Sequence, residues 1–145
     1  MSWIKIAMSP SVPPILQLLR RDTRYKLEAY QFVREALDYA HREMALGYQE
    51  PVRPGQEPPP EAHVTGQELC EAIRQYAWRQ YGYLAKLVLN SWGVHATRDF
   101  GEIVYNLIEI REMKKSPSDR REHFDEVYDF DEGLVRQFRI RLDRT

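Results

Sequence analysis

Five of the nine prolines fall between residues 48 and 64, and this stretch most constrains how the chain can fold. Proline lacks a backbone N–H and fixes φ, so neither a helix nor the interior of a sheet can run through it. A hinge between two domains is one reading, but the roughly 47 residues before it are too few to bury their own core. We therefore expect one domain of residues 1–145, with a surface loop at 48–64 and a basic tail at 134–145.

Apolar residues recur at three- and four-residue steps before the proline-rich stretch, which is the helical period. Pro13 and Pro14 suit the first turn of a short helix, because proline favours the first helical position. A longer helix is predicted from about Lys26 to Leu46, where Gly47 is a natural stop. Its expected buried stripe is Tyr30, Val33, Leu37, Ala40 and Met44.

Helical signals resume after the loop. Thr65 and Glu68 have the S/T-x-x-E spacing of a capping box, which marks the start of a helix. Gly82 and Gly93 are predicted breaks, and Thr97 is predicted to cap a further helix. The chain is therefore predicted to be all-α or α-dominated, with about five helices. The stripe of the helix after Thr97 is expected to be Phe100, Ile103, Val104, Leu107 and Ile108.

The helices on either side of Gly93 have the order of a helix-turn-helix. The first carries Leu84 and Leu87, and the second runs from about Arg98 to Met113. With the later segment as a wing, the C-terminal half is similar to a winged helix. Two helices joined by a glycine turn are also ordinary packing in helical domains, and this is the favoured interpretation.

A minor β element is predicted at the chain termini. Residues 138–142 alternate apolar and basic side chains, which is the period of a strand, and residues 3–6 have similar β character. We expect these two short segments to pair with each other if either forms a strand.

Cysteine usage and hydropathy indicate the compartment. Cys70 is the single cysteine, so the chain has no internal disulfide and fits a reducing environment. No stretch approaches the ~20 apolar residues of a membrane span, and no signal peptide is evident. We expect a cytoplasmic protein that has no membrane partner.

The charges nearly cancel over the whole chain, with 21 Lys and Arg against 22 Asp and Glu, but they are segregated along it. Nucleic-acid association is therefore an alternative function that depends on local basic clusters rather than on net charge. The predicted recognition helix offers only Asn106 as a base reader and is rich in carboxylates. Candidate nucleic-acid contacts are Arg20, Arg21, Arg24, Arg139 and Arg141.

No standard catalytic or metal-binding motif is present in the sequence. Cys70 falls on a predicted apolar helix face, which is typical of a core residue rather than a thiolate. Asp38 and His41 have the spacing of half a di-metal motif, but no second unit accompanies them. We expect neither a metal nor a cofactor, and an enzyme acting on a small molecule is the third-ranked function.

Aromatic residues set among carboxylates in residues 122–134 favour the first-ranked function, a non-catalytic protein–protein interaction or adaptor module. Such residues can dock into a basic-rimmed apolar groove of an unknown partner, or of a second copy of the chain. If so, replacing Tyr128 and Phe130 by alanine would abolish binding and spare the fold. The alternative is that these aromatics pack onto the helices. The predicted contact residues are Phe124, Asp125, Tyr128, Asp129 and Phe130.

Several sequence blocks together resemble a family of small uncharacterised bacterial proteins described as Verrucomicrobia–Planctomycetes-restricted. The resemblance covers roughly residues 15 to 134 and implies no activity and no functional residues. The blocks are EAYQFV at 28–33, EALDY at 35–39, HVTGQEL at 63–69, YGYLA at 81–85, WGV at 92–94, TRDFGEIVYNLI at 97–108 and FDEVYDF at 124–130.

Overall fold

The computed structural model describes residues 12–47, 55 and 63–143. Their regular structure is entirely helical, which confirms the α-dominated prediction for this part of the chain. Two 3-10 turns, Gly82–Leu84 and Arg121–Phe124, and one π-helical segment, Asp131–Arg136, connect or extend the α-helices. The α-helices are α1 Pro14–Arg21, α2 Leu27–Arg42, α3 Gly66–Tyr81, α4 Ala85–Ser91, α5 Thr97–Glu109 and α6 Gln137–Asp143.

Local signals set several helix ends as predicted. Pro14 occupies the first turn of α1. The capping box before α3 is complete, because the Thr65 hydroxyl accepts the Glu68 N–H at 3.1 Å and the Glu68 carboxylate accepts the Thr65 N–H at 3.0 Å. Gly82 ends α3 with a positive φ of 53°. Glycine is favoured there because it has no Cβ to clash in that conformation.

The prediction that Thr97 caps α5 is wrong. Ala96 is the N-cap, and the Asp99 carboxylate accepts the backbone N–H groups of His95 and Ala96 at 2.9 and 3.1 Å. Thr97 is buried inside the first turn. Its hydroxyl donates to the Phe124 carbonyl at 2.7 Å and accepts the Val127 N–H at 3.1 Å. Thr97 therefore anchors the segment that follows α5 instead of starting the helix.

One core joins the helices from both sides of the proline-rich stretch. Helix α2 packs against α3 and α5, and the apolar stripes predicted for α2 and α5 supply much of that core. Leu37 and Met44 of the α2 stripe are only partly buried: Leu37 borders a cavity, and Met44 lies beyond the end of α2 at Arg42. The fully buried large side chains of these helices include Tyr30, Val33, Ile73, Phe100, Ile103 and Leu107.

The predicted strand at residues 138–142 is also wrong, since these residues lie in α6. Phe138 and Arg141 both contact Trp78. The Phe138 and Trp78 ring centroids are 5.7 Å apart. The Arg141 guanidinium lies 5.7 Å from the centre of the Trp78 ring. Residues three apart share one face of a helix but point to opposite faces of a strand. The shared contact with Trp78 is therefore that of a helix. The predicted partner segment, residues 3–6, lies outside the described residues.

The predicted wing is likewise not found in the described part of the chain. Residues 121–136 form a 3-10 turn and a π-helical segment in place of a β-hairpin. None of the described helices is long and apolar enough to cross a membrane.

Candidate functional site

The aromatic residues predicted to contact a partner lie in the core instead. Phe124 and Phe130 are 5% and 4% exposed. The Phe130 ring stacks on Phe100 at 5.8 Å between centroids, and the Tyr128 hydroxyl donates to the Cys70 carbonyl at 2.8 Å. Burial raises the pKa of Tyr128 well above its usual value. Phe124 and Phe130 are therefore not available as anchors for a partner, while Tyr128 is partly buried and packs against the core.

Two glycines make room for these aromatic rings. A Cβ on Gly101 would lie 2.9 Å from the Phe124 Cβ, and a Cβ on Gly133 would lie 2.6 Å from the Tyr128 Cδ1. Real Cβ atoms do not approach carbon so closely in packed interiors. Glycines within helical segments were the available sequence signal that something large packs against α5 and residues 131–136.

The carboxylates of the same segment remain exposed. Asp125 and Asp129 face solvent, and together with Tyr128 and Phe130 they border a hollow of about 690 Å³ that also includes Arg98. The structure thus brings four of the five predicted contact residues together. They form an acidic rim above buried aromatics, not an apolar surface with acidic flanks.

Helices α4 and α5 follow each other around Gly93, but α5 packs mainly against α2 and the 3-10 turn Arg121–Phe124 and is central to the fold. Helix α5 buries Phe100, Ile103 and Leu107 against its neighbours. Asn106, the one predicted base reader, donates to the Asp22 carboxylate at 2.9 Å and to the Tyr30 hydroxyl at 3.1 Å. An amide held in internal hydrogen bonds is not free to read a base edge.

Asp22 is the centre of a polar cluster between the α1–α2 turn and α5. Its carboxylate accepts hydrogen bonds from the Arg24 guanidinium, closest at 2.7 Å, from the Arg24 backbone N–H at 3.1 Å and from Asn106. The guanidinium bonds hold the pKa of Asp22 well below its usual range, and the Asn106 and backbone bonds act in the same direction against the opposing effect of burial. The cluster therefore stabilises the ionised carboxylate.

We expect Asp22→Asn to lower the free energy of unfolding by about 1–3 kcal/mol at pH 7, because several charge-assisted hydrogen bonds are lost. The folded-state pKa of Asp22 is depressed, so its stabilisation is complete above the unfolded-state pKa of about 3.9 and is lost as pH falls toward the folded value. Urea unfolding at pH 7 and pH 3 should show the gap between wild type and variant narrowing at pH 3.

The matched control is Asp38→Asn, which removes an exposed ion pair with Arg42. Exposed pairs contribute little, so this variant should change stability by less than about 0.5 kcal/mol at either pH. An Asp22→Asn deficit of the same size at pH 7 and pH 3 would contradict the assignment of its stabilisation to the ionised carboxylate.

Most of the arginines predicted to contact nucleic acid have partners within the chain. Arg21 pairs with Glu109 at 3.2 Å, and Arg24 pairs with both Asp22 and Glu102. Arg139 donates to the Tyr83 hydroxyl at 2.6 Å, and Arg141 lies over Trp78. Arg20 and Arg141 make no hydrogen bond or ion pair in the described part. Carboxylates offset the charges of Arg21 and Arg24, which weakens the attraction of these two arginines to phosphates.

A group of exposed apolar side chains occupies another face, which we call the Leu84 surface: Tyr83, Leu84 and Leu87. Their exposed fractions are 51%, 56% and 66%. Ala85 and Leu89 of the same helical stretch are buried, so the core face of α4 is already used. Leu84 and Leu87, three residues apart, share the outer face. The sequence pattern alone does not distinguish the stripe 84/87 from the stripe 85/89.

Basic and further apolar groups flank the Leu84 surface on the side of α6. The Tyr83 hydroxyl accepts the hydrogen bond from Arg139, and the Arg139 guanidinium also lies 5.8 Å from the centre of the Tyr83 ring. Ile140, the next residue in α6, is 39% exposed. No carboxylate pairs with Arg139 in the described residues, so its charge remains available beside the apolar side chains.

The described residues offer little to catalysis. Cys70 is fully buried, and burial raises the pKa of its thiol to about 12. A neutral buried thiol is a poor nucleophile. Within the described ranges, no three His, Cys, Asp or Glu side chains are placed to hold a metal ion.

Comparisons with known proteins add no functional assignment. No protein-family model, no curated protein and no solved structure matches the chain.

Proposed function

We propose that the chain is a non-catalytic protein–protein interaction module and that the Leu84 surface is its contact surface. The observation that supports this is the exposure of three large apolar side chains on the 3-10 turn Gly82–Leu84 and on α4, whose other face already fills the core. Keeping such side chains in water is unfavourable by roughly 25 cal/mol per Å² of apolar area. Clustered exposed apolar residues of this kind are typical of binding surfaces.

The flanking charge indicates the chemistry of the partner. Arg139 lies beside Tyr83, and Arg141 follows two residues later on α6 with its guanidinium over Trp78. Neither guanidinium is paired with a carboxylate within the described residues. The best complement is therefore an apolar segment of another protein with Asp or Glu residues beside it, because opposite charges favour the correct partner and its orientation.

This proposal keeps the function expected from the sequence, an interaction module, but assigns the contact to the Leu84 surface instead of residues 122–134. In the predicted surface at residues 122–134, Phe124 and Phe130 are buried and Tyr128 is only partly exposed. Accessible aromatic anchors usually carry most of the affinity of an interface. The Leu84 surface supplies such anchors in Tyr83, Leu84 and Leu87. A second copy of the chain remains a competing occupant that the experiment distinguishes.

The test is site-specific photo-cross-linking in cells that naturally express the chain. With p-benzoyl-phenylalanine placed at Leu84 or at Leu87, we expect the same defined protein adduct from both positions after illumination. The matched control position is Leu16, which is 43% exposed on α1 and lies outside the Leu84 surface. We expect no such adduct there.

A charge reversal tests the flanking arginine. Arg139→Glu should reduce the yield of the adduct severalfold, whereas Arg98→Glu, another exposed arginine without an ion pair in the described part, should not. Equal adducts from positions 84, 87 and 16 would contradict the proposed surface. An adduct with the mass of two copies of this chain would show that the surface binds a second copy instead of another protein.

A further inference from the structure

A cavity of about 360 Å³ lies on a different part of the molecule from the Leu84 surface. It forms where the end of α2, the start of α3, the second half of α5 and residues 112–124 come together. Its apolar lining includes Leu37, Val64, Leu69, Val104, Ile108 and Met113. A volume in this range with a mainly apolar lining is typical of small-molecule sites.

Of the charged side chains around this cavity, the carboxylates have partners within the described residues and two cations do not. The two carboxylates, Glu112 and Asp119, already have partners, since Glu112 accepts from Arg34 at 2.5 Å and Asp119 accepts the Ser116 N–H at 2.7 Å. The side chains of Lys114 and Arg120 make no ion pair or hydrogen bond within the described residues. The cavity therefore has cations available at its edge, while Glu112 has its charge offset by Arg34 and Asp119 accepts a backbone N–H.

Histidine and tyrosine side chains without a hydrogen-bond partner in the described residues also border the cavity. The rings of His63 and His123 have no hydrogen-bond partner in the described part of the chain. Tyr105 borders the cavity as well, and its buried hydroxyl oxygen has no hydrogen-bond partner among the described protein groups. Buried polar groups in folded proteins are nearly always paired, so an unpaired hydroxyl beside a cavity indicates a ligand or solvent partner.

From these observations we infer that the cavity binds a small amphipathic anion, with its apolar body against the Leu69, Val104 and Ile108 side chains and its anionic group at Lys114 and Arg120. A carboxylate or a phosphate monoester would provide the acceptor oxygens that guanidinium and ammonium groups bind best. A cationic ligand is disfavoured, because it would compete with Arg34 for Glu112 and would meet the charges of Lys114 and Arg120. This inference is independent of the proposed interaction surface.

The probe for the test is 4-phenylbutyrate, and 4-phenylbutan-1-ol serves as its uncharged counterpart. In ¹H–¹⁵N spectra of the full chain, phenylbutyrate should cause saturable shifts at the amides of Val104, Ile108 and His123. The alcohol, which keeps the apolar body and lacks the anion, should bind at least about tenfold more weakly. Inorganic phosphate alone should bind more weakly than phenylbutyrate, because it lacks the apolar body.

Variants separate the two parts of the site. Lys114→Gln with Arg120→Gln should weaken phenylbutyrate binding about tenfold and leave the alcohol unchanged. The matched control, Arg20→Gln with Lys26→Gln, removes two exposed cations elsewhere and should not change either affinity. Absence of saturable shifts in the wild type, equal affinity for acid and alcohol, or shifts confined to the Leu84 surface would each overturn the inference.

Discussion

Gly93→Ala should destabilise the fold by about 4 kcal/mol or more, which is a large share of the stability of a typical domain. Gly93 has a φ of +93°, which side chains with a Cβ rarely adopt. A Cβ at this position would also lie 2.1 Å from the Arg24 carbonyl oxygen. The turn cannot move away freely, because the Lys26 N–H donates to the neighbouring Trp92 carbonyl at 3.1 Å. Urea unfolding followed by circular dichroism measures the effect.

Gly82→Ala is the control for the backbone part of this effect. Gly82 also has a positive φ, but its nearest contact for a built Cβ is the Phe138 Cζ at 3.6 Å, an ordinary distance. We expect a smaller loss of about 1–3 kcal/mol there, from the conformation alone, because φ 53° with ψ −123° is a region that chiefly glycine adopts. If the two variants were equally stable, the close approach of Gly93 to the Arg24 carbonyl would be contradicted.

Phe130→Ala is expected to lower the free energy of unfolding by about 3–5 kcal/mol, the usual cost of emptying a buried phenylalanine site. The Phe130 ring packs on Phe100 and lies 6.2 Å from the Tyr128 ring, so the cavity that it leaves has little means of collapsing. This outcome differs from the expectation based on the sequence, in which residues 128 and 130 were dispensable for folding. Thermal and urea denaturation of the purified variant provide the measurement.

Asp125→Asn is the matched control within the same segment. Asp125 is exposed and its side chain makes no hydrogen bond in the described part, so this variant should stay within about 0.5 kcal/mol of the wild type. A Phe130→Ala protein as stable as the Asp125→Asn protein would return residues 122–134 to the surface and restore the contact site predicted from the sequence.

The helical regions were predictable where the signal is local. The capping box of Thr65 and Glu68, the proline at the start of α1 and the break at Gly82 each depend on residues within one helical turn, so the sequence specifies them directly. The α2 and α5 stripes were predictable for a related reason. Each is a long periodic pattern that leaves one choice of buried face.

The candidate sites were less predictable, because short segments allow more than one buried face. In α4 and the turn before it, the pairs Leu84/Leu87 and Ala85/Leu89 both have helical spacing, and only the packing of neighbouring elements selects Ala85 and Leu89 for the core. The same holds for Phe124, whose burial depends on space left by Gly101, and for Phe130, whose ring stacks on the distant Phe100.

The sequence by itself determined the helical class and several helix ends, since capping, proline and apolar periodicity act within a few residues along the chain. The tertiary structure alone decided that residues 138–142 form a helix against Trp78, that Asn106 is held by Asp22, and that the acidic segment turns its aromatics inward. These outcomes depend on contacts between residues far apart in sequence. Such contacts have no period or spacing in the sequence from which they could be predicted.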